Sequence, residues 1–244
     1  MEKLSKKHLK VIERYKKETE LPCYSLIPIE GKPSETDSKM GGFPYLPKGA
    51  SVPKDKSGKP MVLFIQLNLD GLEPLEDYPV DFPTKGILQV FMAENSEEYP
   101  TPHKVVYYDS VGEYEPDDGS ADENEWVTSP FKLKAEKSVS VLPVRFMTLG
   151  DMMLSSLYNK MDIYRDIIAD EINKCVPAAT FAGHADTTQS SGFEYMENAV
   201  LFKINSELDG RICIGDCGIL VAGIPFDALE ELDFDRAFVE WDCC

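Results

Sequence analysis

Two hexapeptides, Leu63-Phe64-Ile65-Gln66-Leu67-Asn68 and Val200-Leu201-Phe202-Lys203-Ile204-Asn205, align position by position, each an apolar run closing on asparagine. Their surroundings align as well: Gly86-Ile87-Leu88 answers Gly218-Ile219-Leu220, and each unit opens on a glycine-bearing loop, Gly41-Gly42 or Ala182-Gly183. Two copies of a short β unit that each expose an apolar face can bury those faces against one another, which makes one pseudo-symmetric core. The chain is therefore read as mainly β (α+β), a duplicated β roll with a pseudo-two-fold repeat and flanking helices at the N-terminus and mid-chain. It is read as a single domain over 1–244, with repeat units at about 39–146 and 175–244 and a helical connector at about 149–174.

Local patterns fill in this frame. Leu4, His8, Val11, Ile12, Tyr15 and Thr19 recur at helical spacing, so the N-terminal stretch reads as an amphipathic helix stopped by Pro22. CYSLIPI after it reads as an edge strand, because Pro28 cannot donate to a ladder. Residues 30–60 read as a long loop of turns, and such loops are often functional. VLFIQLNL (62–69), GILQVFM (86–92), KVVYYDS (104–110) and VSVLPVRF (139–146) read as strands, separated in part by an acidic, turn-rich insert over 109–126. Thr148 with Asp151 forms a capping box ahead of a Met-rich apolar stripe, so one or two core helices are expected from about 149 to 174. AVLFKIN, RICI and GILVAGIP return to strand, then FDALEEL to a helical turn. The tail alternates, with Ala237, Val239 and Trp241 on one face.

The quotations GGFPYLP, LFIQLNL, LFKINSE, the GDCG before a strand and the closing WDC together resemble the YwqG family of bacteria, a domain-of-unknown-function group, over nearly the whole chain. That resemblance implies a β roll with flanking helices and no assigned activity. This chain differs from the family pattern in carrying Lys203 where members usually have Gln and Ile214 where they usually have Trp, so a pocket lined by that Gln or Trp would be altered here.

Charge excludes some partners. With 43 acidic and 25 basic residues the formal net is −18, a field that repels phosphate backbones and anionic lipid. Nucleic-acid and membrane partners are not expected. No apolar run of membrane-spanning length and no signal-type core occur, which places the six cysteines in a reducing, cytoplasmic compartment as thiols.

Chemistry-bearing motifs are few. Gly215-Asp216-Cys217-Gly218 looks like the nucleophile turn of chymotrypsin-like cysteine proteases, which would need a base from His8, His103 or His184; Gly-Asp-x-Gly also describes an ordinary turn entering a strand. Cys213, Cys217, Cys243 and Cys244 offer four sulfurs at a spacing poor for zinc, so no metal and no other cofactor is expected. His184-Ala185-Asp186-Thr187-Thr188-Gln189 is a polar loop aligned with GGFPYLP, able to act as an acid/base pair in a cleft or to form an Asx-type turn. Phosphate-loop, dinucleotide, serine-hydrolase and zinc-protease signatures are absent from the sequence. The candidate ligand-binding residues are therefore Gly42, Gln66, His184, Asp186, Gln189 and Asp216, with no catalytic assignment. The leading expectation is a binding or regulatory module for a protein or small-molecule partner, of which toxin immunity is one version, with loops 40–50 and 182–192 forming one surface. The alternative is a small-molecule or thiol-dependent hydrolase using His184, Asp186 and Cys217 or Asp216.

Overall fold

A computed structural model of the chain describes residues 4–94, 98, 100–115, 124–145, 147–187 and 195–243. Helix α1 (Lys6–Thr19) starts at a reciprocal cap in which the Ser5 hydroxyl accepts from the His8 backbone N–H and the His8 ring accepts from that of Ser5. It buries Tyr15 and Thr19, and the Tyr15 hydroxyl donates to the Leu142 carbonyl at 2.9 Å, tying the helix to a distant segment. Among the described residues ten strands follow: β1 (Leu21–Ile29), β2 (Lys39–Met40), β3 (Val62–Asn68), β4 (Ile87–Met92), β5 (His103–Tyr108), β6 (Phe131–Ser140), β7 (Ala179–Ala182), β8 (Asn198–Asn205), β9 (Ile219–Pro225) and β10 (Phe238–Asp242). Helices α2 (Leu149–Leu157) and α3 (Ile163–Asn173) sit between β6 and β7, and the short α4 (Phe226–Glu230) follows β9. With α1, helices α2 and α3 enclose a second small core around Tyr15, Leu154, Ile168 and Ile172.

All ten strands lie in one antiparallel sheet ordered β10-β9-β8-β7-β1-β6-β2-β3-β4-β5. Outward from the central β1/β6 pair the order is the same in both directions: β1 corresponds to β6, β7 to β2, β8 to β3, β9 to β4 and β10 to β5. Fine detail repeats as well. The β3–β4 register slips between Leu63 and Ile65 and the β8–β9 register slips between Val200 and Phe202, at aligned positions. After β2 the backbone takes two consecutive left-handed residues, Gly41 and Gly42 at φ 64° and 73°; at the end of β7 it does the same at Ala182, the last residue of the strand, and Gly183, φ 63° and 85°. The duplication read in the sequence is thus a property of the backbone. It also includes a strand exchange: β1, which precedes the first copy, lies beside β7 of the second.

The two ends of the sheet order, β5 and β10, meet through side chains and leave the roll nearly closed. Val239 N–H donates to His103 Nε2 at 3.2 Å, the Trp241 indole donates to Thr101 Oγ1 at 3.1 Å, and Lys104 pairs with Asp235 at 2.7 Å. One apolar core fills the interior from both halves, with Phe64, Ile65, Phe181 and Phe202 essentially unexposed.

Three local expectations are corrected. CYSLIPI is central: β1 pairs β6 along its length and β7 over Cys23–Ser25. Pro28 is tolerated because β7 has ended before it, so that stretch of β1 has a single neighbour. The strand expected at 139–146 is β6, which ends at Ser140. Leu142, Pro143 and Arg145 are instead irregular backbone, which Pro143 favours by offering no N–H. RICI contributes only an isolated bridge between Ile212 and Val127.

Candidate functional site

The second glycine turn builds a cavity. Gly183 passes so close to β6 that a β-carbon there would stand 2.7 Å from Ser140 Cβ. Only glycine satisfies both that approach and φ 85°. The turn is held by Tyr78, whose hydroxyl donates to the Gly183 carbonyl at 3.2 Å, and by the His184 N–H, which donates to Ser140 Oγ at 3.2 Å. Residues 184–187 then line a pocket of about 200 Å³ walled by Leu21, Leu142, Pro143, Tyr78, Tyr195 and Phe226.

Each titratable group in this pocket already has a partner. His184 Nε2 contacts the Thr19 carbonyl, which can only accept, so the proton sits on Nε2 and Nδ1 carries the lone pair. Burial holds this imidazole below its ordinary value, against a smaller upward pull from the Thr19 carbonyl. Asp186 takes a two-pronged pair from Arg145, Nε to Oδ1 at 2.9 Å and Nη2 to Oδ2 at 2.8 Å, with its own side chain 4% exposed. Behind it, Lys203 is buried and donates to the Pro177 carbonyl; burial pushes the ammonium down to about 8 while the negative charge of Asp186 opposes the shift. Cys23 lies in the same region, its thiol pushed up to about 11 by burial. The pocket therefore offers apolar walls, one neutral imidazole acceptor and a neutralised ion pair.

Gly42 occupies the equivalent turn of the other half, with Pro130 against it as Ser140 and Cys23 stand against Gly183. Pro130 and Ser140 flank the length of β6, so the two turns lie roughly 30 Å apart at opposite ends of the central strands. The described parts of the loops expected to form one surface, 40–50 and 182–187, start from opposite ends of β6: a two-fold between antiparallel neighbours sends equivalent loops to opposite ends. Gln66 is unexposed and its amide is saturated internally. Its Nε2 donates to the carbonyls of Glu35 and Asp37 at 2.7 and 2.8 Å, and its Oε1 accepts from Tyr45 N–H and Gln89 Nε2 at 2.8 and 2.7 Å. It clamps the chain ahead of β2 as Lys203 clamps the chain ahead of β7, which accounts for the Gln-to-Lys departure noted above. Ile214, at the other departure, is fully buried in the main core.

Asp216 and Cys217 are exposed in the turn before β9, adjoining the Asn205 end of β8, whereas the pocket adjoins its Asn198 end. Roughly 20 Å of strand separates the thiol from His184. His103 is engaged at the β5/β10 seam, with Nδ1 on the Thr101 carbonyl and Nε2 on Val239 N–H. Neither imidazole is placed to activate Cys217. Gln189 lies outside the described residues. Among the described residues no three His, Cys, Asp or Glu side chains converge as metal ligands.

Sequence reasoning missed Arg145, Tyr78 and Lys39. The arginine did carry a signal, a lone cation in the apolar run VLPVRF that demands a carboxylate if it folds inward. Among the described residues no helix is long and apolar enough to cross a membrane. No curated protein matches the chain. The family model of a domain of unknown function, DUF1963, matches residues 38–243, and the chain belongs to that family.

Proposed function

We propose that the chain is a binding module whose ligand occupies the Gly183 pocket, and that it is not a hydrolase. The observation that carries this reading is the pairing of His184 with Thr19 and of Asp186 with Arg145, which leaves a largely apolar cavity in which, among the described residues, no His–Asp pair forms to activate a nucleophile. A small, largely apolar molecule with one hydrogen-bond donor fits, since the lone pair on His184 Nδ1 is the acceptor left by the tautomer. The thiols of Cys23, Cys175, Cys213, Cys217 and Cys243 support residence in a reducing compartment such as the cytoplasm, and the motifs quoted above support kinship with YwqG proteins.

The test is a fragment screen by amide chemical-shift mapping on the whole chain and on Ala185→Trp, which fills the pocket. Binders that perturb His184–Thr187 and Tyr78 and are lost in the variant support the reading. Binders confined to other surfaces, or turnover of an ester or amide that survives Ala185→Trp, would refute it.

A further inference from the structure

The first half holds a cavity of its own, and a buried lysine forms part of its wall. Lys39 in β2 lies opposite Gln66 in β3 and Lys132 in β6. Its side chain is 1% exposed, and it lines a pocket of about 470 Å³ with Lys32, Glu35, Gly42, Phe43 and Pro130. Nζ donates to the Ser34 carbonyl at 2.6 Å and to the Glu35 carbonyl at 2.9 Å. Two acceptors satisfy the hydrogens of a neutral amine. Both hydrogens of an amine are placed on these two carbonyls, and its lone pair keeps a remaining tetrahedral direction.

We propose that Lys39 is a nucleophilic lysine, and that this pocket takes a small aldehyde bearing an anionic group, which Lys39 captures as an imine. The nitrogen lone pair adds to the carbonyl carbon; the carbonyl oxygen then leaves as water with the two nitrogen hydrogens, and a C=N bond replaces C=O. No oxidant or further reactant is needed. Glu35 supplies a carboxylate in the same wall to move the protons, and exposed Lys32 supplies a cation at the rim for the anionic group. The other nearby carboxylate, Asp37, is engaged with Lys132 at 3.1 Å.

Burial pushes Lys39 down to about 8, with Glu35 and then Asp37 pulling the other way. Near neutral pH that raises the neutral fraction by roughly two orders of magnitude over an ordinary lysine. Lys203 is an internal control: burial lowers it to about 8 too, and its ammonium faces the Pro177 carbonyl behind Asp186.

The whole chain would be treated with pyridoxal 5′-phosphate or with pyridoxal, reduced with borohydride, and mapped by peptide mass spectrometry across pH 6 to 10. Lys39 should label at least about tenfold faster than Lys203 and than exposed Lys48, with a half-maximal rate near 8. Lys32→Ala, which leaves the buried contacts alone, should slow capture of the phosphorylated aldehyde several-fold, by roughly the strength of one surface ion pair, and leave pyridoxal unaffected. Labelling of Lys39 no faster than Lys203 would overturn the nucleophile. Equal slowing of both aldehydes, or of neither, would overturn the anionic specificity.

Discussion

The Gly42 and Gly183 turns share a backbone and differ in chemistry. Each follows a short strand, carries two left-handed residues and packs against one end of β6, and each is faced by a buried donor from the aligned position of the long strand. In the first half that donor is Gln66, a neutral amide whose hydrogen bonds close within the protein. In the second it is Lys203, whose charge is answered by Asp186, itself held by Arg145. The duplicated fold requires something at this position to clamp the chain ahead of the next strand. It does not dictate whether that group is charged, and the two solutions leave pockets of different character.

Exchanging the two donors tests this asymmetry. Gln66→Lys should be the most damaging change, destabilising the chain by about 4 kcal/mol in a denaturant titration, because it orphans the Tyr45 and Gln89 donors and buries a second basic nitrogen beside Lys39. If the variant is as stable as the parent, the first half tolerates charge and the distinction fails. Asp186→Asn removes the carboxylate that holds Arg145 and faces Lys203 and should lose about 3 kcal/mol, toward the low end for a buried pair because the Arg145 side chain is 37% exposed.

The buried lysines make stability depend on pH in a definite direction. Both have folded values near 8, below the ordinary 10.5, so above pH 8 the unfolded chain binds more protons than the folded one. Stability should therefore rise from pH 8 to 9, by about 2 kcal/mol for the two lysines together. A flat profile by thermal or chemical unfolding would show that neither amine is desolvated as described. The reverse exchange, Lys203→Gln, should cost only about 1 kcal/mol, since an amide can still donate to Pro177 and Asp186 keeps Arg145, and it should halve the rise between pH 8 and 9. The smallest effect belongs to His184. Its depressed folded value means its contribution is present above 6.5 and lost as pH falls through the folded value, so His184→Gln should flatten a decline in stability below 6.5.

Much of this fold was legible because apolar runs with fixed punctuation carry strand order. The aligned hexapeptides are β3 and β8, and the aligned glycines fall in the paired left-handed turns. Less legible was anything decided by neighbours far along the chain. CYSLIPI resembles an edge because Pro28 is visible, while its second partner β7 is remote in sequence. Loop chemistry singled out His184 and Asp186, and both line the Gly183 pocket. That they face Thr19 and Arg145 in place of each other depends on α1 and on the stretch after β6, which no local pattern connects to them. Gln66 shows the opposite failing: a polar residue in an apolar strand suggests a ligand contact, and here the chain itself satisfies it.

The position of β1 has a kinetic consequence. Cys23 pairs with Ala182 and Leu21 with Ser140, so the middle of the sheet cannot assemble until most of the chain is available, and the side-chain seam between His103 and Val239 closes a loop nearly as long. Such non-local pairings delay the reward for ordering each segment, which makes refolding slow and exposes unpaired strand edges on the way. Because the exchanged strand commits each half to the other, the repeats should lose structure together in one transition, in contrast to the piecemeal unfolding of linear repeat arrays.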